Sequence, residues 1–327
     1  MSSRRLDPGP VPSAPAAAGR DPDPVVWVLA PGVAVVRRPP DHVQVGTGDR
    51  AVVVGARDAV RGLLDRLGTS GAVRTPGRHD LVWRRLREER LVVPAASLRR
   101  DLTAAGGAVG AASEGGEPAR AAVAAAYAVH GEAAPTLLAR RRSLAVGVAG
   151  RADWCARVAP LLANAGLVPW TDPEPRRRTG GGAAPAAWVL LDRPEAADDL
   201  LRTATPHLHV VATPRGGARV GPFTAPGESA CVRCLSAARA DQDPAAPLVD
   251  LQLSRARATV RGDTVAPAPG DPTLVAVALG LAAADLLRWV DGRRPQTWSA
   301  TVEVDDRLDL TPRRWPLHPR CGCDWAA

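Results

Sequence analysis

The sequence has no lysine and no isoleucine, and only one Met, one Phe and one Tyr. Without lysine no ammonium can clamp a triphosphate and no Schiff base can form, so P-loop and lysine-imine chemistry are excluded. A membrane-spanning run is missing too. The longest apolar stretch, around Leu274–Leu287, contains Asp285 and falls short of a bilayer's width. No signal peptide is visible, because Asp7 and several prolines follow Arg4-Arg5 where an apolar segment is needed. A cytoplasmic location is therefore expected, where thiols stay reduced.

The net charge of +8 is carried entirely by arginine. Those arginines come in twos and threes, such as Arg140-Arg141-Arg142 and Arg176-Arg177-Arg178, without a long basic tract. This describes a solvated Arg-rich surface and ranks nucleic acid last among partners. The excess of Ala, Arg, Pro, Gly and Val follows high-GC codon usage more simply than it follows function.

Four segments are expected. Residues 1–24 are a Pro- and Ala-rich tail without periodicity. Residues 25–96 carry short β-like runs (Val25–Leu29, Val33–Arg38, Val43–Gly46, Ala51–Gly55), then helices at Asp58–Leu67 and Asp80–Arg90. Residues 97–140 are an Ala- and Gly-rich linker with a helix at Pro118–His130. From 141 to 327 strands and helices alternate, the pattern of a mostly parallel sheet with covering helices. Its expected elements include strand Leu144–Val148, a turn at Gly147–Gly150, helix Ala152–Ala165, and strands Leu167–Trp170, Ala187–Leu191 and Leu208–Ala212. Helix Thr273–Val290 and late strands Thr301–Val304 and Leu308–Leu310 complete it.

Chemistry concentrates in two close thiol pairs, Cys231-x-x-Cys234 and Cys321-x-Cys323. Paired thiolates in a reducing compartment suit one tetrahedral, four-coordinate zinc, and a full protein ligand set makes that zinc structural. His318 is a weaker substitute ligand. Cys155 lies inside a helix and reads as a small buried hydrophobe. The strand, Gly147–Gly150 turn and following helix suit a phosphate at a helix N-terminus, although the pattern is G-x-x-G-x-A. Asp172 ends the next strand, where an acidic ribose ligand would sit. The competing reading is that Gly147 and Gly150 only permit close packing. No nucleophile–base pair stands out.

The order of these features resembles the ThiF-like, ubiquitin-activating type of adenylation fold. The resemblance is carried by the Gly turn, Leu191-Asp192-Arg193-Pro194, Val220-Gly221-Pro222-Phe223, both Cys pairs and Asp291-Gly292-Arg293-Arg294-Pro295. It covers roughly residues 140–325. Within that family the chain is most similar to the divergent branch of leader-peptide-binding or cyclodehydratase partner proteins in azole- and azoline-containing (TOMM) peptide biosynthesis. Residues 25–96 resemble the PqqD-like recognition element, a small winged-helix relative. The implied fold is α/β, a Rossmann-like ThiF-type mostly parallel sheet with a small N-terminal α+β winged-helix-like module.

The resemblance also implies roles. Gly147 and Gly150 match the nucleotide loop, Asp172 the ribose ligand and Asp192 the metal-side aspartate. The family's phosphate-binding lysine has no counterpart here. The peptide would add as a strand at Ala51–Gly55 (Val52, Val53, Val54) and meet Arg84, Arg85 and Arg87. The expected function is a leader-binding partner without adenylation activity, working with a YcaO-type cyclodehydratase; a homodimer follows by family analogy. Structural zinc is the expected cofactor and ATP is left open. Two alternatives stand beside it: an active ATP-dependent adenylyltransferase of the ubiquitin-like modifier activating type, and a winged-helix DNA-binding protein.

Overall fold

The computed structural model describes residues 25–69, 73–74, 81–107, 116–171, 184–259 and 270–323. It opens with strands β1 (Val26–Leu29), β2 (Val35–Arg38), β3 (His42–Val45) and β4 (Val52–Gly55). Helix α1 (Asp58–Gly68), strand β5 (Val73–Arg74), helix α2 (Leu81–Glu88) and strand β6 (Val92–Pro94) follow. Instead of the one small sheet expected, there are two. β2, β3 and β4 form an antiparallel meander, while β1 pairs with β5 on one side and β6 on the other. The Pro31-Gly32 turn, with Gly32 at φ 78°, redirects the chain between them. Both sheets share a core in which Trp27 meets Trp83 edge-on at 5.3 Å over Val45, Leu64 and Leu86.

The expected linker, 97–140, is largely helical where it is described. Helices α3 (Ala95–Gly107), α4 (Gly116–His130) and α5 (Ala134–Ser143) pack together. Their weak amphipathicity hides this in the sequence, since alanine is both a good helix former and a filler of tight contacts. Buried Tyr127 donates to Asp101 at 2.8 Å, and Arg142 donates to the same carboxylate at 3.1 Å.

The larger domain contains β7 (Ala145–Gly150), α6 (Ala152–Asn164), β8 (Val168–Thr171), β9 (Ala187–Leu191), α7 (Ala197–Arg202), β10 (His207–Ala212) and β11 (Ala218–Thr224). Next come α8 (Val232–Gln242), α9 (Ala246–Thr259), α10 (Pro272–Val290), β12 (Ala300–Val304) and β13 (Arg313–Arg314). The seven strands are ordered β13-β12-β11-β10-β9-β7-β8. Strands β8, β7, β9 and β10 run parallel, and the rest are antiparallel, so the sheet is mixed. A short hairpin joins β10 to β11, and so tight a connection allows only antiparallel pairing. The expected strand at Leu308–Leu310 is absent; Leu308 has φ 53°, which breaks extended backbone, and the pairing moves to Arg313–Arg314.

Helix α10 covers this sheet. By length and composition it is apolar enough to cross a membrane, against the sequence expectation. In this fold Val275, Leu279, Ala282 and Leu286 enter the main core instead. Asp271 caps its start by accepting from the N–H groups of Thr273 and Leu274. Asp285, also buried, accepts from Gln296 N, Thr297 N and Thr297 Oγ1 and thereby fixes the following loop.

Candidate functional site

The two cysteine pairs converge. Cys231 is the N-cap of α8 and Cys234 lies in its first turn. Cys321 and Cys323 return from the chain's end, with Gly322 at φ 71° between them so that both sulfurs face one point. The sulfurs stand 3.5 Å apart for Cys231–Cys321, 3.5 Å for Cys234–Cys323 and 3.9 Å for Cys231–Cys234. All four lie within 4.8 Å of one another. A zinc ion with four sulfurs at ~2.3 Å sets tetrahedral edges of about 3.8 Å, so the residues fit the metal.

Their surroundings favour a thiolate at Cys234. The backbone N–H of His318 points at Cys234 Sγ at 3.4 Å. The Cys234 thiol is pushed down to about 4, first by the Cys231 thiol donating to it. That same contact, with burial second, raises Cys231, and burial pushes Cys323 up to about 12. A divalent ion bound by the four sulfurs would displace their remaining protons. His318 is no ligand here. Its Nε2 meets Asp241 of α8 at 2.8 Å and its Nδ1 accepts from Arg320 N. Arg320 also pairs with Asp241. The tail is thus bound along α8 from the cysteines to Asp241, a contact the sequence did not announce.

A second candidate place is the C-terminal edge where β7 and β9 adjoin and the strand order reverses, the usual crevice for nucleotides. The expected glycine turn is not a turn. Strand β7 runs through Gly150. A Cβ on Gly147 would lie 2.2 Å from the Trp188 ring, and one on Gly150 (φ 125°) would lie 1.9 Å from Leu191 O. Arg151 N bonds that same oxygen at 3.0 Å. Both glycines are therefore used by close packing. The N-terminus of α6 carries Asp153, which pairs with Arg151 at 2.9 Å and whose carboxyl is held below its ordinary range, chiefly by Arg151. Asp192 follows β9 at φ 55°, and its Oδ1 accepts from Ala212 N at 3.2 Å. Asp172 and Arg176–Arg178 lie outside the described residues. The described residues here do not fit a nucleotide triphosphate: the Trp188 ring and Leu191 O close on both glycines, so the strand end has no cradle.

The third place is the N-terminal module. Strand β4 is an outer edge of its sheet, and α2 packs beside it. Of the six residues assigned to peptide contact, Val52 is instead core at 1% exposure and Val54 packs on the same cluster. Arg87 is taken by a bidentate pair with Glu132, 2.6 and 2.8 Å, and lies over Trp27. Val53, Arg84 and Arg85 face solvent. Arg50 and Arg90 donate to the carbonyls of Ala128 and Val129, so this module is tied to the end of α4.

No family model matches the sequence, and no curated protein does. Among solved structures the chain shares its fold with E. coli MccB bound to AMPCPP and MccA, at TM-score 0.59 and 13% identity over 91% of this chain and 99% of that one. The microcin C7 biosynthetic enzyme MccB in complex with N-formylated MccA aligns at TM-score 0.58 and 13% identity, over 91% and 99%. The heterocyclase TruD aligns at TM-score 0.58 and 19% identity, over 92% of this chain but 42% of that one. A heterocyclase solved with substrate and cofactor gives 0.59 and 19%, over 91% and 40%.

Proposed function

We propose that this chain is a leader-peptide-binding partner protein in the biosynthesis of ribosomally made, azole- or azoline-modified peptides, without adenylation activity of its own. The observation that carries it is the contrast inside one MccB-like fold: Trp188 and Leu191 close on the two glycines of the nucleotide crevice, while among the described residues no strand pairs with the outer edge of β4 beside α2. An unpaired edge flanked by a helix accepts an extended peptide by main-chain pairing. Exposed Arg84 and Arg85 would meet acidic leader side chains, with Val53 beneath the peptide. The solved relatives support the substrate class, since MccB was captured with MccA and the heterocyclase with substrate. The heterocyclases extend well beyond the part this chain matches, which supports a separate YcaO-type cyclodehydratase as the partner that performs ring formation. Zinc in the four-cysteine cage holds the scaffold and does no chemistry.

The test uses the whole chain with the short precursor peptide and YcaO protein encoded beside its gene. ATP–pyrophosphate exchange by the chain alone is expected to stay at background, and labelled leader peptide is expected to bind and to weaken at least tenfold in R84E/R85E. Robust exchange, or leader binding indifferent to both arginines, sinks the reading. Neighbouring genes without a YcaO protein also count against it, and a duplex-DNA shift lost in R84E/R85E points to the DNA-binding alternative.

A further inference from the structure

A groove of about 530 Å³ opens at the other end of the seven-stranded sheet, lined by Glu228, Arg294, Trp298, Ser299, Arg314 and Trp315, with Pro316 on its rim. Its position follows from register. Asp192 lies beside Val210 and Ala212, whereas His207, at the start of β10, pairs with Thr224 and leads to the β12 start at Ala300. The groove is therefore at the opposite end of the sheet from Gly150 and Asp192.

We propose that this groove is a second docking site, for an acidic peptide segment. Its floor is rigid. Trp298 stacks on Phe223 at 6.1 Å and 14°, and Trp315 is buried with its Nε1 donating to Thr301 Oγ1 at 3.0 Å. Ser299 adopts a left-handed backbone, φ 48°, that lets its carbonyl accept from Trp315 N and its Oγ accept from Ala230 N. Ala230 and Trp315 belong to the apolar cluster around the cysteines, so the metal cage stiffens the groove.

The recognition chemistry is guanidinium on indole. Within the lining Arg294 lies 5.0 Å over Trp298 and Arg314 supplies the second guanidinium, while Arg313, outside the lining, covers Trp315 at 4.2 Å. Stacking pre-orients a guanidinium while leaving its N–H edge for a carboxylate. Among the described residues neither Arg294 nor Arg314 is paired with a carboxylate, Glu228 included, so the groove carries a net positive charge with its arginines free to bind. A peptide suits it better than a nucleic acid. The indole faces are already covered by Phe223 and arginine, which removes the bare stacking platform that bases need. Strand β13, at the sheet's edge, offers unpaired main-chain groups alongside.

The experiment is fluorescence anisotropy of a fluorescein-labelled peptide of alternating Glu and Thr against the whole zinc-loaded chain, at low salt. Saturable binding is expected, weakened at least tenfold in R294E/R314E and unchanged in the charge-reversal control R61E/R66E on α1. Circular dichroism and zinc content should match the parent, and where the double reversal misfolds, Arg314→Gln alone is read and should weaken binding by a smaller factor. The proposal is overturned by absent binding, by binding that survives loss of both groove arginines, by loss only in R84E/R85E, or by tighter binding of labelled oligo-dT than of the peptide. Because the control variants lie in the N-terminal module, failure here is distinct from failure of the leader-binding reading.

Discussion

The crevice at β7 and β9 and the cage at α8 both carry a sequence pattern associated with ligands, yet they end in opposite states. At the crevice the described pattern elements have internal partners: Trp188 fills the space at Gly147, Leu191 O closes on Gly150, and Asp192 accepts from Ala212 N. At the cage four soft donors face one another, all within 4.8 Å. Groups that already have partners gain nothing from a ligand, whereas convergent thiols gain an ion's full binding energy. Motif and site are different things, and the local accounting of partners separates them.

The largest effect should come from the cage. Chelation or Cys231→Ser is expected to release about one zinc per chain and to remove several kcal/mol of stability, a fraction of the ~10–16 kcal/mol that structural zinc supplies to small fingers. Metal analysis with thermal melting checks it; a chain without zinc and with an unchanged melt would erase the contrast between the two sites.

Next is Gly150→Ala. If the glycine serves packing, its Cβ meets Leu191 O in a positive-φ position, and the loss should be about 3 kcal/mol or more. If it served phosphate, stability would barely change and nucleotide binding would fall. Denaturant midpoints with and without ATP separate the two.

Third is acid sensitivity. His207 and His209 sit buried and neutral side by side on β10, 5.2 Å between ring centres, and His207 Nε2 and both His209 nitrogens lack hydrogen-bond partners. Burial lowers His207 to about 4 and His209 well below its ordinary value, with His207 and Arg219 adding to the latter. Folded pKa values below the unfolded ~6.5 mean that the unfolded chain takes up protons first. Stability is fully present above about pH 6.5 and falls between there and about pH 4, by on the order of 3 kcal/mol for His207 alone. Melts across that interval should show the fall, and His207→Leu should flatten it. An equally steep decline in that variant would assign the effect to zinc loss instead.

The smallest effect is Asp153→Ala. Its side chain is half exposed, so the loss of its pair with Arg151 should cost less than about 1 kcal/mol. No ATP-induced thermal shift should appear. A shift in that variant would make Asp153 a plug over a latent nucleotide site.

Much of this was legible in the chain. Strands β7, β9 and β10 read as apolar runs, α10 announced itself by Asp271-Pro272, and the Cys pairs marked the cage. What escaped was set at long range. Alanine-rich helices α3 to α5 looked like a linker because small residues pack without a strong stripe. Gly147 and Gly150 mimicked a phosphate loop because a glycine making room for Trp188 is indistinguishable, locally, from one making room for an anion. Arg87 looked available until Glu132, 45 residues on, claimed it.

By itself the sequence determined the types of element, the exclusion of lysine chemistry and the thiol pairs three and two residues apart, because propensity, periodicity and short-range ligand geometry are local properties. Tertiary structure realised the cage the pairs announced, by bringing sulfurs 89 and 90 residues apart to 3.5 Å. It alone decided that Gly147 and Gly150 are closed on by Trp188 and Leu191, and that two tryptophans and two arginines from separate segments line one groove. Those outcomes depend on which distant backbone fills or leaves each space, and no local pattern encodes that.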